Sequence, residues 1–262
     1  MNTYQIHIDT ASTQTVTSPG VNSPGQASIS KVNGNPFQCT AILGNRHRAI
    51  RSAALKDAQI PIGFYNIRAP YNTIVVNSVT YTVTAGYYTI STLLTVLNAI
   101  PGIGSLGGFS IPDDPSNDAT TRRVLFTITA PNTTVTIGVK PLSLGYFLGF
   151  TDGQNGFGEN IQITATNNYN INFDTYISIW IGEIGTASLD PQQITYKVPI
   201  TDTTYRSITN YGEGSYYLQK VVYTSRSNRL DRLTITVLDR FGNILNNNGM
   251  DWSFTLEIES DT

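Results

Sequence analysis

Two runs of strict alternation close this sequence, and they limit what the chain can become. In the first, Leu233, Ile235 and Val237 share one face. In the second, Trp252, Phe254, Leu256 and Ile258 share one face, with Ser253, Thr255 and Glu257 opposite. Successive side chains of a strand point to opposite faces, so this is the pattern of a strand with one buried and one wet side. Between the runs lie Asp239, Gly242, Asn246 and Gly249. Such residues tolerate a positive φ or cap their own backbone. The chain therefore closes with two long strands of a sheet protein. A last strand this apolar is expected to be paired inside its sheet rather than left as a free edge.

The same alternation recurs upstream. Ile177, Ile179 and Ile181 alternate with Tyr176, Ser178 and Trp180, and Ile194, Tyr196, Val198 and Ile200 follow the same rule. Eight strands are predicted outside one central stretch: 37–43, 48–57, 60–67, 174–182, 193–200, 216–224, 232–238 and 251–259. Pro61 and Gly63 mark the third as an edge or bulged strand. Eight antiparallel strands in two packed sheets are the count of a jelly roll. The predicted sandwich comprises residues 36–67 and 166–262.

Residues 68–165 have a different texture and are predicted to form an inserted α+β lobe. Val79, Tyr81 and Val83 alternate. Ser91 could then cap a helix with Leu93, Leu94, Leu97 and Ile100 on one face, stopped by Pro101 and Gly102. The runs 124–128 and 135–139 alternate about 130–133 and are predicted to pair as a hairpin. Residues 141–150 are apolar enough for a short helix. The fold class expected is thus all-β with an α+β insertion, an eight-stranded jelly-roll sandwich carrying a strand–helix–hairpin lobe. The alternating stretch 4–8 could be a short strand. Residues 10–35 are rich in Thr, Ser, Gly, Pro and Asn and can bury little. Residues 1–35 are accordingly assigned to an N-terminal arm or flexible segment, either ordering against a partner or packing locally as an irregular loop.

Charged residues make up only 13% of the chain and the net charge is −2, so no global field favours nucleic acid. Arg46, His47, Arg48 and Arg51, and again Arg226, Arg229 and Arg232, form two local basic groups. Both are read as solvated loop charges. The single cysteine, Cys39, excludes an internal disulfide framework and suits a small buried hydrophobe. No N-terminal leader pattern and no membrane-length apolar run is present, so a soluble protein made in a reducing compartment is expected.

A search for chemistry assigns no catalytic, cofactor-binding or metal-ligating residue, and the chain is read as a non-enzyme without cofactors. His7 and His47 have no ligand partners at metal spacing. Gly102, Gly104 and Gly107 match Gly-x-Gly-x-x-Gly, but follow a helix rather than a strand, so a dinucleotide loop is not expected. Asp113, Asp114 and Asp118 are not at calcium-loop spacing, and Asp239 and Asp251 are read as turn caps rather than an acid/base pair. Fifteen tyrosines remain, among them Tyr87, Tyr88, Tyr205, Tyr211, Tyr216 and Tyr217. Tyrosine suits both surfaces buried between chains and ordinary strands, and the sequence leaves the two open.

Gly86 through Asn98, continuing to Leu144–Phe150, is similar to a module of the minor capsid (penton) proteins of virophages, polinton-like viruses and related large DNA viruses. The tail, with Leu233, Asp239, Gly242, Asp251, Trp252 and Ile258, resembles the end of the same proteins. The likeness spans about 60–259, rests on spaced apolar and glycine positions, and leaves out the first 35 residues. It implies a single jelly roll forming homopentamers at the five-fold vertices of an icosahedral capsid, the insert facing outward. It also implies a virion protein made in the host cytoplasm, in contact with a neighbouring major capsid protein. No membrane span and no specific nucleic acid are expected, and a host surface receptor for the insert is left open. The alternative from another class is a jelly-roll carbohydrate-binding or host-attachment module.

Overall fold

A computed structural model of the chain describes residues 2–11, 16–17, 28–111, 122–184, 196–202, 204–212, 220–222 and 229–261. In chain order, β1 (Asn2–Asp9), β2 (Val16–Thr17), β3 (Ser28–Val32), β4 (Asn35–Arg48) and β5 (Ile50–Pro61) come first. Then follow β6 (Thr73–Val76), β7 (Val79–Thr82), α1 (Ile90–Asn98), α2 (Pro101–Gly104), β8 (Gly107–Ser110) and β9 (Leu125–Ile128). β10 (Thr134–Gly138), α3 (Leu144–Phe147), β11 (Gln154–Phe157) and β12 (Gln162–Thr164) come next. The chain ends with β13 (Tyr176–Ile181), β14 (Tyr196–Pro199), β15 (Ile208–Tyr211), β16 (Lys220–Val222), β17 (Arg229–Leu238) and β18 (Ser253–Ser260). It divides into two compact units, residues 1–64 with 174–262, and residues 65–173.

The first unit is an antiparallel sandwich of the jelly-roll kind. One sheet runs β15–β5–β18–β1–β2, with β16 also paired to β5; the other runs β14–β13–β17–β4–β3. Their inner faces meet in one core. Ile6 and Ile8 come from β1, Leu55 and Ile60 from β5, Ile177 and Ile179 from β13, and Phe254, Leu256 and Ile258 from β18. The closing strand is interior: Phe254 is in register with Ile8 on one side and Ala58 on the other. Its alternation is strict, with inward Phe254, Leu256, Ile258 and Ser260 buried and the intervening residues half-buried.

Three expectations are corrected here. The arm assigned to 1–35 contains three sandwich strands, β1, β2 and β3. β1 pairs with β18 along its whole length and gives Ile6 and Ile8 to the core, and β3 covers the edge of β4. An apolar neighbour with an open edge favours such pairing even when the added strand is polar. Residues 60–67 are not a strand of their own. β5 runs unbroken to Pro61, where it pairs with Ile208 of β15 and ends; a separate register shift against β18 leaves Lys56 unmatched. Finally, β15 was not foreseen; Thr209 and Tyr211 point inward while Ile208 and Asn210 are exposed, too short a pattern to stand out.

The second unit has its own core, built by two small sheets, β11–β10–β6–β7 and β12–β9–β8, and by the helices. α1 buries Leu93, Leu94 and Leu97. Its N-cap is Thr89, not Ser91. The Thr89 hydroxyl accepts from the Thr92 amide at 3.2 Å, and the Thr92 hydroxyl accepts from the Thr89 amide at 3.0 Å. This reciprocal pair satisfies two otherwise orphaned donors, which one serine could not do. Pro101 does more than end α1: it opens α2, where its missing N–H costs nothing. The hairpin predicted for 124–128 and 135–139 does not form. β9 pairs with β8 and β12, whereas β10 pairs with β6 and β11. Asn132, at φ 49°, turns the chain between them and sends the two runs into different sheets.

Candidate functional site

The residues singled out by chemistry are not gathered into one place. His7 lies on the outer face of its sheet, with Nδ1 3.1 Å from the Thr255 hydroxyl. His47 lies in the other sheet and is buried. Cys39 is buried, and burial raises its thiol pKa to about 11, which keeps it protonated and poorly nucleophilic at neutral pH. The Asp239 carboxylate accepts from the Phe241 amide at 2.8 Å and the Asn243 amide at 2.9 Å, so it caps the turn that follows β17. Asp251 accepts from the Thr10 hydroxyl at 2.9 Å and from Lys31, tying the N-terminal segment to the last loop. Gly102 and Gly104 fall in α2 and Gly107 opens β8, so their spacing does not form a phosphate loop. Asp113, Asp114 and Asp118 lie outside the described residues. Among the described residues, no three His, Cys, Asp or Glu side chains converge as metal ligands.

The tyrosines divide between core and surface. Tyr211 is buried in the sandwich. Tyr88 packs against the core of the second unit and donates from its hydroxyl to the Thr84 carbonyl at 3.0 Å. Tyr205 is half-buried beneath the Arg206 guanidinium. Tyr216 and Tyr217 lie outside the described residues. The exposed apolar side chains are others. In the first unit Ile208 and Val222 stand out on β15 and β16, two short strands along one edge of β5. In the second unit Phe157, Tyr146, Ile161 and Val79 are exposed. Short edge strands with outward apolar groups suit contact with another chain. Val222 falls in the predicted strand 216–224, but its outward exposure was not readable there, and Ile208 sits in no long alternating run.

The basic groups come together from both halves of the sequence. β4 and β17 run side by side, and Arg48 is the register partner of Arg229. Leu230 faces His47 and Arg232 faces Ile42, so residues 43–46 stand opposite Asp231 alone, a pronounced bulge in β4. His47 turns inward from this bulge, its ring edge-on to Tyr4 at 4.9 Å. Among the described residues, its Nε2 has no hydrogen-bond partner.

Burial lowers the His47 pKa below the ordinary 6.5, because desolvation disfavours the charged ring. The unfolded chain then binds a proton that the folded chain resists. Stability is full above the ordinary histidine value and falls as pH drops through the window between that value and the lowered one. Urea midpoints measured across this window are expected to decline for the wild-type chain. They should decline less for His47→Gln; equal slopes would show that His47 does not carry the effect.

No family model matches the chain, and no curated protein matches it. Among solved structures it is similar to the crystal structure of the selenomethionine-labelled mavirus penton protein, with 12% identity, a TM-score of 0.48, and coverage of 98% of this chain and 99% of that one.

Proposed function

We propose that the chain is a structural subunit of a viral capsid, a penton that forms homopentamers at the five-fold vertices with its inserted lobe facing outward. The observation that carries this reading is an architecture of two antiparallel sheets sharing one core, interrupted once between β5 and β13 by a second unit with a core of its own. That is the arrangement implied by the resemblance of 86–98, 144–150 and the closing strands to penton proteins. Of the carboxylates singled out, Asp239 and Asp251 tie local structure, the first by capping the turn after β17 and the second by holding Thr10 and Lys31. No helix among the described residues is long and apolar enough to cross a membrane.

A five-membered ring needs a heterologous interface, in which two different patches of one subunit are complementary. The exposed Ile208 and Val222 on β15 and β16 are one candidate half of it. A neighbouring major capsid protein is the second partner of this reading, and the assembled virion its location. The recombinant chain is expected to sediment as a pentamer, or to become incorporated when co-expressed with its major capsid protein. A species that stays monomeric at every concentration and is never incorporated would remove the proposal.

A further inference from the structure

His47 is a buried titratable side chain that ties one sheet of the sandwich to the other. It lies on β4, and its ring meets that of Tyr4 on β1, in the opposite sheet, edge-on at 4.9 Å. At the same end of β1, Ser260 is buried across from Asn2. Among the described residues, neither the His47 Nε2 nor the Ser260 hydroxyl has a hydrogen-bond partner. Buried polar atoms left unpaired cost stability, so this end of the core is closed at some expense. The charged groups described on the surrounding elements are cationic or already engaged. Arg46 and Arg48 flank His47 and are exposed. Across the ladder stands Leu230, and Asp231 beside it is half-buried with an interaction of its own. On β18, Glu257 pairs with Lys56 at 3.3 Å, and Glu259 accepts from Ser52 at 2.6 Å and from Lys220 at 2.8 Å. Just after β18, Asp261 pairs with Arg51 of β5 at 2.7 Å.

We propose that His47 is an acid-sensitive latch: on gaining a proton it releases the first half of β1, residues 2–5, and bares the edge of β18 that this segment covers. A charged imidazolium in a dry site is unfavourable unless it is paired. It can reach water in two ways. Turning His47 outward would disturb the ladder between β4 and β17, where it stands opposite Leu230. Lifting Tyr4 away disturbs less. Tyr4 is only half-buried, and β2, on the other side of β1, reaches no further than Ile6 and His7. Ile6 and Ile8 stay in the core and anchor the second half of the strand.

The edge laid bare runs from Glu257 to Ser260, the register partners of residues 2–5. Ile258 within it belongs to the core, and an unpaired strand edge beside apolar side chains is a template for another strand. Acid thus converts a closed sheet margin into a pairing site. Burial holds the His47 pKa below the ordinary 6.5. The closed form therefore resists a proton that the open form accepts. Opening is rare above the ordinary histidine value. Below it, opening grows by up to about tenfold per pH unit, until the closed form itself takes up the proton. The device lies within the first unit alone and does not depend on the capsid reading.

The test is amide hydrogen exchange on the full chain, read residue by residue by NMR between about pH 7.5 and about pH 5 and corrected for intrinsic rates. Amides of residues 2–5 are expected to lose protection below the ordinary histidine value, by up to about tenfold per pH unit, and to exchange faster than those of β13 throughout. His47→Gln should flatten that dependence. His47→Phe, which keeps a ring against Tyr4 but cannot charge, should flatten it too, and serves if the glutamine variant folds poorly. His7→Gln is the control for the other histidine, which lies on β1 beside Thr255, and should leave the slope unchanged. The latch is refuted if residues 2–5 keep their protection in acid, if the slope survives in both His47 variants, or if His7→Gln abolishes it. It is equally refuted if residues 2–5 and β13 are protected alike, because acid then unfolds the sandwich as a whole, or if residues 44–50 open while 2–5 stay closed.

Discussion

Replacing Trp252 with alanine is expected to cost the sandwich about 3–5 kcal/mol, the range for emptying a buried aromatic site. A domain of ordinary stability has about 5–15 kcal/mol in hand, so this one change should remove a large part of it. Trp252 is 2% exposed. Its ring stacks on Phe254 at 4.9 Å between centroids and meets Phe37 edge-on at 5.8 Å. The indole N–H donates to the Pro36 carbonyl at 2.8 Å. One side chain thus joins β18 to the start of β4, in the opposite sheet. Trp252→Phe separates the two contributions, because it keeps most of the apolar area but leaves the Pro36 carbonyl without its donor. It should cost about 1–3 kcal/mol, the penalty for an unsatisfied buried polar group. Urea unfolding followed by circular dichroism measures both. An alanine variant within about 1 kcal/mol of wild type would mean that the site collapses freely and that the ring is not a tie between the sheets.

This tie was readable in part. The alternation around Trp252 is local, so sequence alone identifies the buried face of β18; likewise Ile177, Ile179 and Ile181 announce β13. What alternation cannot announce is a strand specified by its neighbour. β3 places only Ile29 against the core, and its remaining side chains are exposed. Its pairing comes from the open edge of β4, a property of residues elsewhere in the chain. The failed hairpin has the same origin: the runs 125–128 and 134–138 each alternate well, but alternation does not name a partner. β9 finds β8 and β12 and β10 finds β6 and β11 through non-local pairing.

The basic cluster on β4 was half legible for a related reason. Arg46 and Arg48 are visible as a pair in the sequence, and their natural reading is solvated charge. Only the ladder between β4 and β17 shows that Arg229 falls opposite Arg48, while Arg51 and Arg232 find carboxylates. Which cations find carboxylates depends on pairing, and pairing here joins residues from opposite ends of the sequence. His47 is similar. A histidine between two arginines reads as surface, yet in the fold it turns inward against Tyr4.

Gly149→Ala is the second substitution expected to have a large effect, and it strikes the other unit. α3 ends in a Schellman motif: the Gly149 amide donates to the Tyr146 carbonyl at 3.0 Å, and the Phe150 amide to the Gly145 carbonyl at 3.1 Å. Gly149 adopts φ +89° to close it, a region where a side chain costs about 1–2 kcal/mol. A second obstacle adds to this. A Cβ at Gly149 would run into the backbone carbonyl of Asn167, whose own amide donates to the Gly149 carbonyl at 2.9 Å. Backbone cannot rotate aside as a flexible side chain can, so crowding adds about 1–3 kcal/mol, for a total of about 2–5 kcal/mol. Gly153→Ala is the matched control. It sits at φ +76° with nothing within 4 Å of its added Cβ, so it should lose only the conformational part. Because the second unit has a core of its own, hydrogen exchange should speed up among amides of 65–173 in Gly149→Ala while β18 stays protected. If Gly149→Ala proves no less stable than Gly153→Ala, the contact with Asn167 is not a constraint. If β18 exchanges as fast as the second unit, the two cores do not unfold independently.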